Sequence, residues 1–262
     1  MFTTDWETSA REFDIAIERN FRIPVGGGIT LDSDLFRPDA PGKFPVLLCA
    51  HPYNKQAQST SMLPEGVSYR RAFIESGDFN FYVRRGYVMV IMNIRGTGAS
   101  DGVFANRNPD QRTIQDIYDA IEFLAGQDWC DGNVGMMGVS YLSVVQKRVA
   151  ALKPPHLKAI FAFYGWTEGY RDLFYHGGIF SHGFFSSWIR NRGPGMRIEK
   201  DLTAIMGEAA YNAALAKLRA DRELMSVPFL AEVINDPETG LHPLLVEVLI
   251  HSLDDDWHQD CA

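Results

Sequence analysis

One stretch constrains this chain more than any other: Asn133 to Ala151, NVGMMGVSYLSVVQKRVAA. Val134 to Met137 is a short apolar run of the kind a sheet buries. Gly138, Val139, Ser140 and Tyr141 make a sharp corner. From Tyr141 onward, Val144, Val145, Val149 and Leu152 recur at helical spacing. A strand that turns through a serine straight into a helix has the geometry of a nucleophile elbow. The tight turn lifts the hydroxyl of Ser140 clear of the sheet, and the helix N-terminus offers N–H groups to a developing negative charge. Gly138 and Ser140 fit the G-x-S-x-G pattern of such corners, but Leu142 stands at the second glycine. G-x-S alone is equally a strand–helix turn with a capping serine, so the rest of the chain has to discriminate.

The surrounding pattern is that of a mainly parallel sheet. Phe13 to Pro24 and Ile29 to Phe36 read as two strands joined at Gly26-Gly27-Gly28. No helix and no Lys-Ser/Thr follow those glycines, so they make a hairpin turn and not a phosphate cradle. Phe44 to Ala50 (FPVLLCA) and Tyr87 to Ile94 (YVMVIMNI) are continuous apolar runs, as expected of strands buried on both faces. Leu157 to Tyr164 (LKAIFAFY), after the break at Lys153-Pro154-Pro155, reads the same way. Between them lie a helix ending near Phe81 to Arg85, a helix over Asp110 to Gly126, and the elbow helix. Ile114, Ile117, Tyr118, Ile121, Leu124 and Ala125 stripe the second of these, leaving Asp116, Asp119 and Glu122 to a solvated face. Alternation of this kind predicts an α/β fold with crossover helices. After Gly165 the style changes. Trp166 to Gly195 is rich in aromatics and glycines, and amphipathic helices are expected over Leu202 to Leu218 and Leu241 to Leu253. The first would align Leu202, Ile205, Met206, Ala209, Ala213 and Leu218; the second carries Leu244, Leu245, Val248 and Leu249. Residues 1–165 therefore read as a sheet core and 166–262 as a helical lid.

Composition narrows the function. With 262 residues, 46% of them hydrophobic, the chain can bury the core of one α/β domain with a small appendage. A net charge of −8, with no block of Lys or Arg, argues against a nucleic-acid partner. No run of about 18 apolar residues is present, so no membrane partner is expected. The opening MFTTDWETSAREFD has the character of neither a signal nor a transit peptide. Cys49, Cys130 and Cys261 are odd in number and far apart, which suits reduced thiols in a cytoplasmic protein. No residues have the spacing of a metal site, and no cofactor is expected. The loop Arg95-Gly96-Thr97-Gly98-Ala99-Ser100-Asp101-Gly102 follows a strand, but its third glycine is one place late and no helix opens there. It reads as a glycine loop that lets neighbouring site loops approach closely, ahead of a dinucleotide site.

Three motifs then fall in order: His51-Pro52-Tyr53-Asn54-Lys55, the Arg95 to Gly102 loop, and Gly135 to Leu142 with Gln146. Trp129-Cys130-Asp131-Gly132 and Leu157-Lys158-Ala159-Ile160 accompany them. The set resembles the X-prolyl dipeptidyl peptidase and cocaine esterase family of serine hydrolases. The resemblance spans residues 17 to 180, and the lid loosely. It implies an α/β-hydrolase fold, Ser140 as nucleophile, and an oxyanion hole made by the Tyr53 hydroxyl and the Tyr141 backbone N–H. It implies small ester, amide or short-peptide substrates cleaved through an acyl-enzyme. Ser143 departs from the glycine usual in the family, but it is small enough for close strand–helix packing.

The family order of Ser, then Asp, then His places acid and base after two further strands beyond the lid, and this sequence ends at Ala262. Asp254-Asp255-Asp256-Trp257 reads as the junction back to the sheet. The expectation is an apparently truncated hydrolase lacking triad Asp and His, poorly active alone and prone to self-associate or to need a complementing C-terminal fragment. The alternative is a non-catalytic remnant acting as a binding module. Of the histidines, His51 adjoins the oxyanion loop, His156 follows the prolines, His176 and His182 lie in the lid, and His242, His251 and His258 at its far end; none is assigned as base.

Overall fold

The computed structural model describes residues 7–53, 55–59, 75–104, 110–185, 188, 207–235 and 243–259. Two compact units divide the chain: Met1–Asp101 with Arg112–Gly165, and Gly102–Gln111 with Trp166–Ala262.

The first unit is built on a six-stranded sheet. Its strands are β1 (Ile15–Val25), β2 (Ile29–Pro38), β3 (Phe44–His51), β4 (Val88–Asn93), β5 (Cys130–Val139) and β6 (Leu157–Phe163), in the order β1-β2-β4-β3-β5-β6. The β1–β2 hairpin and the β2–β4 pair are antiparallel, whereas β4–β3, β3–β5 and β5–β6 are parallel. Parallel pairs need crossovers. These carry α1 (Lys55–Gln58) and α2 (Phe79–Val83) after β3, α3 (Gln111–Ala125) after β4, and α4 (Tyr141–Ala151) after β5. Every residue of β4 is buried, as its apolar run requires. Asp78 caps α2 by accepting from Asn80 N at 3.0 Å. The mainly parallel α/β sheet with crossover helices matches the sequence pattern.

Two expectations fail here. Asp116 is not on a solvated face: it is buried, and it holds Arg95 through both carboxylate oxygens at 2.6 and 2.7 Å. The apolar stripe of α3 is wide enough to take in one ion-paired acid, and periodicity alone cannot distinguish a buried pair from an exposed charge. β6 is not a strand buried on both faces. Among the described residues it pairs only with β5, and Ile160, Phe161 and Phe163 are 40, 64 and 49% exposed.

In the second unit, a π-helical turn (Tyr170–Phe174) leads into a short hairpin, β7 (Tyr175–His176) and β8 (Ile179–Phe180). The helices that follow among the described residues include α5 (Glu208–Ala220), α6 (Arg222–Met225), α7 (Pro228–Asn235), α8 (Pro243–Ile250) and α9 (Asp256–Gln259). Their core joins Phe174, Phe185, Leu218, Leu245, Val248 and Trp257. The buried face of α5 runs through Tyr211, Ala214, Leu215 and Leu218. Ala209 and Ala213, expected on it, face solvent; positions 202, 205 and 206 of that stripe lie outside the described residues. In α8, Leu245, Val248 and Leu249 are buried as expected. Trp257 and His258 are buried within this unit's own core, so the 254–257 segment is a turn into α9. Among the described residues no helix is long and apolar enough to cross a membrane, and no cluster of His, Cys, Asp or Glu could hold a metal.

Candidate active site

Ser140 stands between β5 and α4 with φ 63° and ψ −124°. A non-glycine residue in this region is strained and persists only where its surroundings hold it. They do so here through the backbone. Ser140 N donates to Phe163 O at 3.2 Å, and Ser140 O accepts from Ser143 N and Val144 N at 2.9 and 3.1 Å. One side of the corner is thus tied to β6 and the other is the first turn of α4. Ser140 is half-buried.

Two glycines make the corner possible. Gly138 has φ +130°, and a Cβ there would lie 2.4 Å from Leu142 Cδ2 and 2.6 Å from Leu142 Cβ. The leucine at the expected second glycine therefore fills the space a Gly138 side chain would need. Gly165 sits against Ser143 in the same way: a Cβ would lie 2.2 Å from Ser143 Oγ and 2.7 Å from its Cβ. The missing methyl on Gly165 admits the serine. Ser143 Oγ is fully buried, and no described group bonds it. An unpaired buried hydroxyl costs on the order of 1–3 kcal/mol, so Ser143→Ala is expected to raise stability by about 1 kcal/mol in a thermal melt. A loss of stability would mean that the hydroxyl has a partner.

Tyr53 follows the last residue of β3 by two positions and is 4% exposed. Its ring packs edge-on to Tyr141 with centroids 6.4 Å apart, and stacks on His51 at 6.1 Å. Tyr53 and Tyr141 are thus brought together at the corner, and Tyr141 is the first residue of α4, where N–H groups lack intrahelical acceptors. Asn54 lies outside the described residues. The backbone of Tyr53 is pinned from below: Asn93 Nδ2, at the end of β4, donates to Tyr53 O at 2.5 Å. Gly98 presses on that same amide, since a Cβ at its φ of +55° would lie 2.7 Å from Asn93 Cγ. The loop is fixed at its other end by Asp101, which accepts from Thr30 N and Thr30 Oγ1 at 2.9 and 2.8 Å and pairs with Arg22 at 3.2 Å. Hydrogen bonds from Thr30 and the nearby Arg22 hold its carboxyl below the usual value. Gly98 serves close approach, as the sequence suggested for this loop.

Sequence reasoning missed the deepest feature. Lys55, the last residue of the His-Pro-Tyr-Asn-Lys motif, is buried; its ammonium lies 2.6 Å from Asp34 Oδ1, 3.3 Å from Asp32 Oδ1 and 2.8 Å from Asn20 Oδ1. Asp32 and Asp34 share one face of β2, two residues apart. Asn20 reaches the lysine from a bulge in β1, where its φ is 58°, a conformation asparagine tolerates. Arg19 also pairs with Asp34. Burial alone would raise the Asp34 carboxyl, but bonds from Lys55 and Arg19 outweigh it and hold it below the ordinary value. The available signal was the D-x-D of a strand otherwise buried.

Of the described histidines, His156, His176, His251 and His258 each bond another group, His51 is buried, and His182 is partly buried. Burial drives the His51 imidazole down to about 3, so it stays neutral and is a poor proton acceptor. His156 Nδ1 meets Glu122 at 2.7 Å, His176 meets Asp172 O at 2.7 Å, His251 meets Asp255 at 2.6 Å and His258 meets the His251 carbonyl at 2.6 Å. His242 lies outside the described residues. Cys49 and Cys130 are free and buried, and burial raises both thiols; Cys261 is outside the described residues.

Comparison with known proteins agrees with this fold. The chain is 32% identical over 242 residues to the cocaine esterase of Rhodococcus sp. (strain MB1 Bresler), covering 84% of this chain and 38% of the esterase. A solved CocE/NonD family hydrolase from Staphylococcus aureus superposes with a TM-score of 0.59 at 34% identity, over 72% of this chain and 35% of that one. An aminopeptidase from a marine sediment Thaumarchaeota archaeon superposes with a TM-score of 0.64 at 20% identity, over 100% of this chain and 43% of its own. This last likeness speaks to the fold alone. The chain thus spans well under half the length of the relatives it matches, and its sheet and helices are those of an α/β-hydrolase. The X-Pro dipeptidyl-peptidase (S15 family) pattern matches residues 27–239, and the chain belongs to that family.

Proposed function

We propose that this chain carries the nucleophile and oxyanion donors of a serine hydrolase that cleaves esters or amides, including X-prolyl peptides. The observation that carries the reading is the strained backbone of Ser140, φ 63° and ψ −124°, at the corner between β5 and α4. A capping serine has extended, unstrained dihedrals; a serine held at positive φ is there to be displayed. In this reading Ser140 Oγ attacks the carbonyl carbon of the substrate while a base takes its proton. The Tyr53 hydroxyl and the Tyr141 N–H donate to the oxyanion, each worth about 3–4 kcal/mol. The C–O or C–N bond breaks, the alcohol or amine leaves with the proton, and water then cleaves the acyl-enzyme. The Rhodococcus relative is an esterase by name, which favours ester substrates.

The base is a separate matter. Loss of the histidine from a serine protease costs about 10⁶ in turnover, and His156, His176, His251 and His258 are bonded to groups other than Ser140. The chain alone is therefore expected to turn over nitrophenyl acetate poorly, yet to be modified slowly and only at Ser140 by an excess of fluorophosphonate, read by peptide mass spectrometry. The Ser140→Ala chain should stay unmodified. Equal modification of the two chains overturns Ser140 as nucleophile. Rapid Ser140-dependent turnover would instead show that the chain holds its own base.

A further inference from the structure

β5 and β6 end level with each other. Val139 pairs with Phe163 in the parallel ladder, and Ser140 N donates to Phe163 O at 3.2 Å. The next residue on each strand then turns through positive φ, 63° at Ser140 and 55° at Tyr164. A bulky side chain is rare in that region, because its Cβ crowds the backbone. If the chain needed only to turn there, glycine or asparagine would do so with less strain. The turn is held from both flanks. Phe163 is bonded to Ser140. Gly165 sits where a Cβ would lie 2.2 Å from Ser143 Oγ, and its carbonyl accepts from Lys147 Nζ at 3.2 Å. Tyr164 is thus clamped between the Ser140 corner and α4.

The residue so held is not part of a core. Tyr164 is 78% exposed, and its ring meets Phe163 with centroids 4.4 Å apart and planes at 55°. Strain kept at a side chain that fills no core points to a use for that side chain. Its place indicates the use. Ligands of open α/β sheets bind beyond the C-terminal ends of the strands, and β3, β5 and β6 stand side by side in that order. Neighbouring strands lie about 5 Å apart. Tyr53 follows β3 and Tyr164 follows β6, so Ser140 stands between two tyrosines. An oxyanion turned towards Tyr53 leaves the other two substituents of the tetrahedral carbon on the side of β6.

We propose that Tyr164 is a specificity-determining residue, whose ring stacks on a flat ring that the substrate carries beside the reacting carbonyl. This rests on Ser140 as the nucleophile. The two rings tilted at 55° form an open corner. A flat group can lie offset on Tyr164 and meet Phe163 edge-on, which are the two arrangements aromatic pairs prefer. An acetyl group offers nothing to stack. The phenol hydroxyl takes no part in stacking, so phenylalanine can stand in for this tyrosine, whereas asparagine fits the turn and lacks the ring.

The test treats the full chain with fluorophosphonates whose two retained groups on phosphorus are both methyl-sized, or include one benzyl group on the carbon or on the oxygen side. Rates of modification at Ser140 are read by intact mass. One benzyl placement should react faster than the small probe. Tyr164→Phe should keep that preference. Tyr164→Asn should lower it roughly 3- to 10-fold and raise the melting temperature, because asparagine tolerates the turn. A parent with no benzyl preference overturns the proposal, as does a preference that Tyr164→Asn leaves unchanged or Tyr164→Phe loses. A fall in melting temperature in Tyr164→Asn overturns it too, since the ring would then be packing the fold. A second readout needs no reaction. Phenylacetate should receive saturation transfer from the Ser140→Ala chain in NMR, and lose it when Tyr164→Asn is added; transfer kept in the double variant counts against the ring contact. If neither probe modifies Ser140 while the phenylacetate contact depends on Tyr164, the nucleophile reading fails and the ring contact stands.

Discussion

Lys55→Met is expected to cost about 3–5 kcal/mol of folding stability, the range for removing one partner of a buried ion pair. The ammonium has three donors, and Asp34, Asp32 and Asn20 supply three acceptors at 2.6, 3.3 and 2.8 Å. Methionine fills the same channel but leaves two buried carboxylates, with Arg19 and the Asn20 N–H still beside Asp34. Lys55→Arg should not rescue it, because a planar guanidinium does not fit a site shaped for a compact ammonium. The pH dependence has a definite sign. The Asp34 carboxyl is held below its ordinary value in the folded chain, so its contribution is present above about pH 3.9 and is lost as pH falls through the lower folded value. In Lys55→Met burial is less opposed and that carboxyl rises, so acidification towards pH 4 should narrow the gap between variant and parent. Urea midpoints at pH 7 and pH 4.5 test this. A gap that is small at pH 7, or equally wide at both, would mean that the cluster does not hold the fold. Because Tyr53 lies two residues before Lys55, the variant should also lower the modification rate of Ser140.

What could be read beforehand divides along physical lines. The sheet was legible because continuous apolar runs in the strands at 44, 87 and 134, separated by helical spacing, leave few alternatives for a buried parallel sheet. The corner at Ser140 was legible because backbone strain leaves a residue signature: Gly138 is where a Cβ would strike Leu142, and no other residue type fits. Asp116, Lys55 and the Asp32–Asp34 pair were not legible. Each is a charge whose cost is cancelled by a partner far away in sequence, and no local pattern encodes such a partner. The aspartate of α3 kept its helical period while changing its environment. β6 was misread for the opposite reason. Its sequence does describe an interior strand, yet among the described residues it pairs only with β5. Ser143 taught a smaller lesson, since its tolerance depends on Gly165, 22 positions later. The role of Ser140, Tyr53 and Tyr141 still rests on proposal, although the rings of the two tyrosines lie 6.4 Å apart at the corner that Ser140 occupies.

Gly138→Ala should be strongly damaging for the addition of a single methyl. Two separate penalties fall on it. The φ of +130° lies where an L-residue is strained, at about 1–3 kcal/mol. The added Cβ would also stand 2.4 Å from Leu142 Cδ2 and 2.6 Å from Leu142 Cβ, and overpacking of this kind costs about 1–3 kcal/mol more. The leucine side chain can swing its end away but not its Cβ, which is fixed to the first turn of α4. A total loss of more than about 3 kcal/mol is therefore expected, together with a loss of Ser140 modification out of proportion to unfolding, because relief of the clash must move α4 and with it the Tyr141 N–H. Leu142→Gly separates the two penalties. Leu142 is fully buried, so Leu142→Gly is costly by itself; measured in that background, Gly138→Ala meets no leucine side chain and should cost only the dihedral part. No cost in that background would mean that φ carries no penalty. A cost as large as in the parent would mean that the helix had already shifted, and that the tight contact between Gly138 and Leu142 is not what holds Ser140 at its corner.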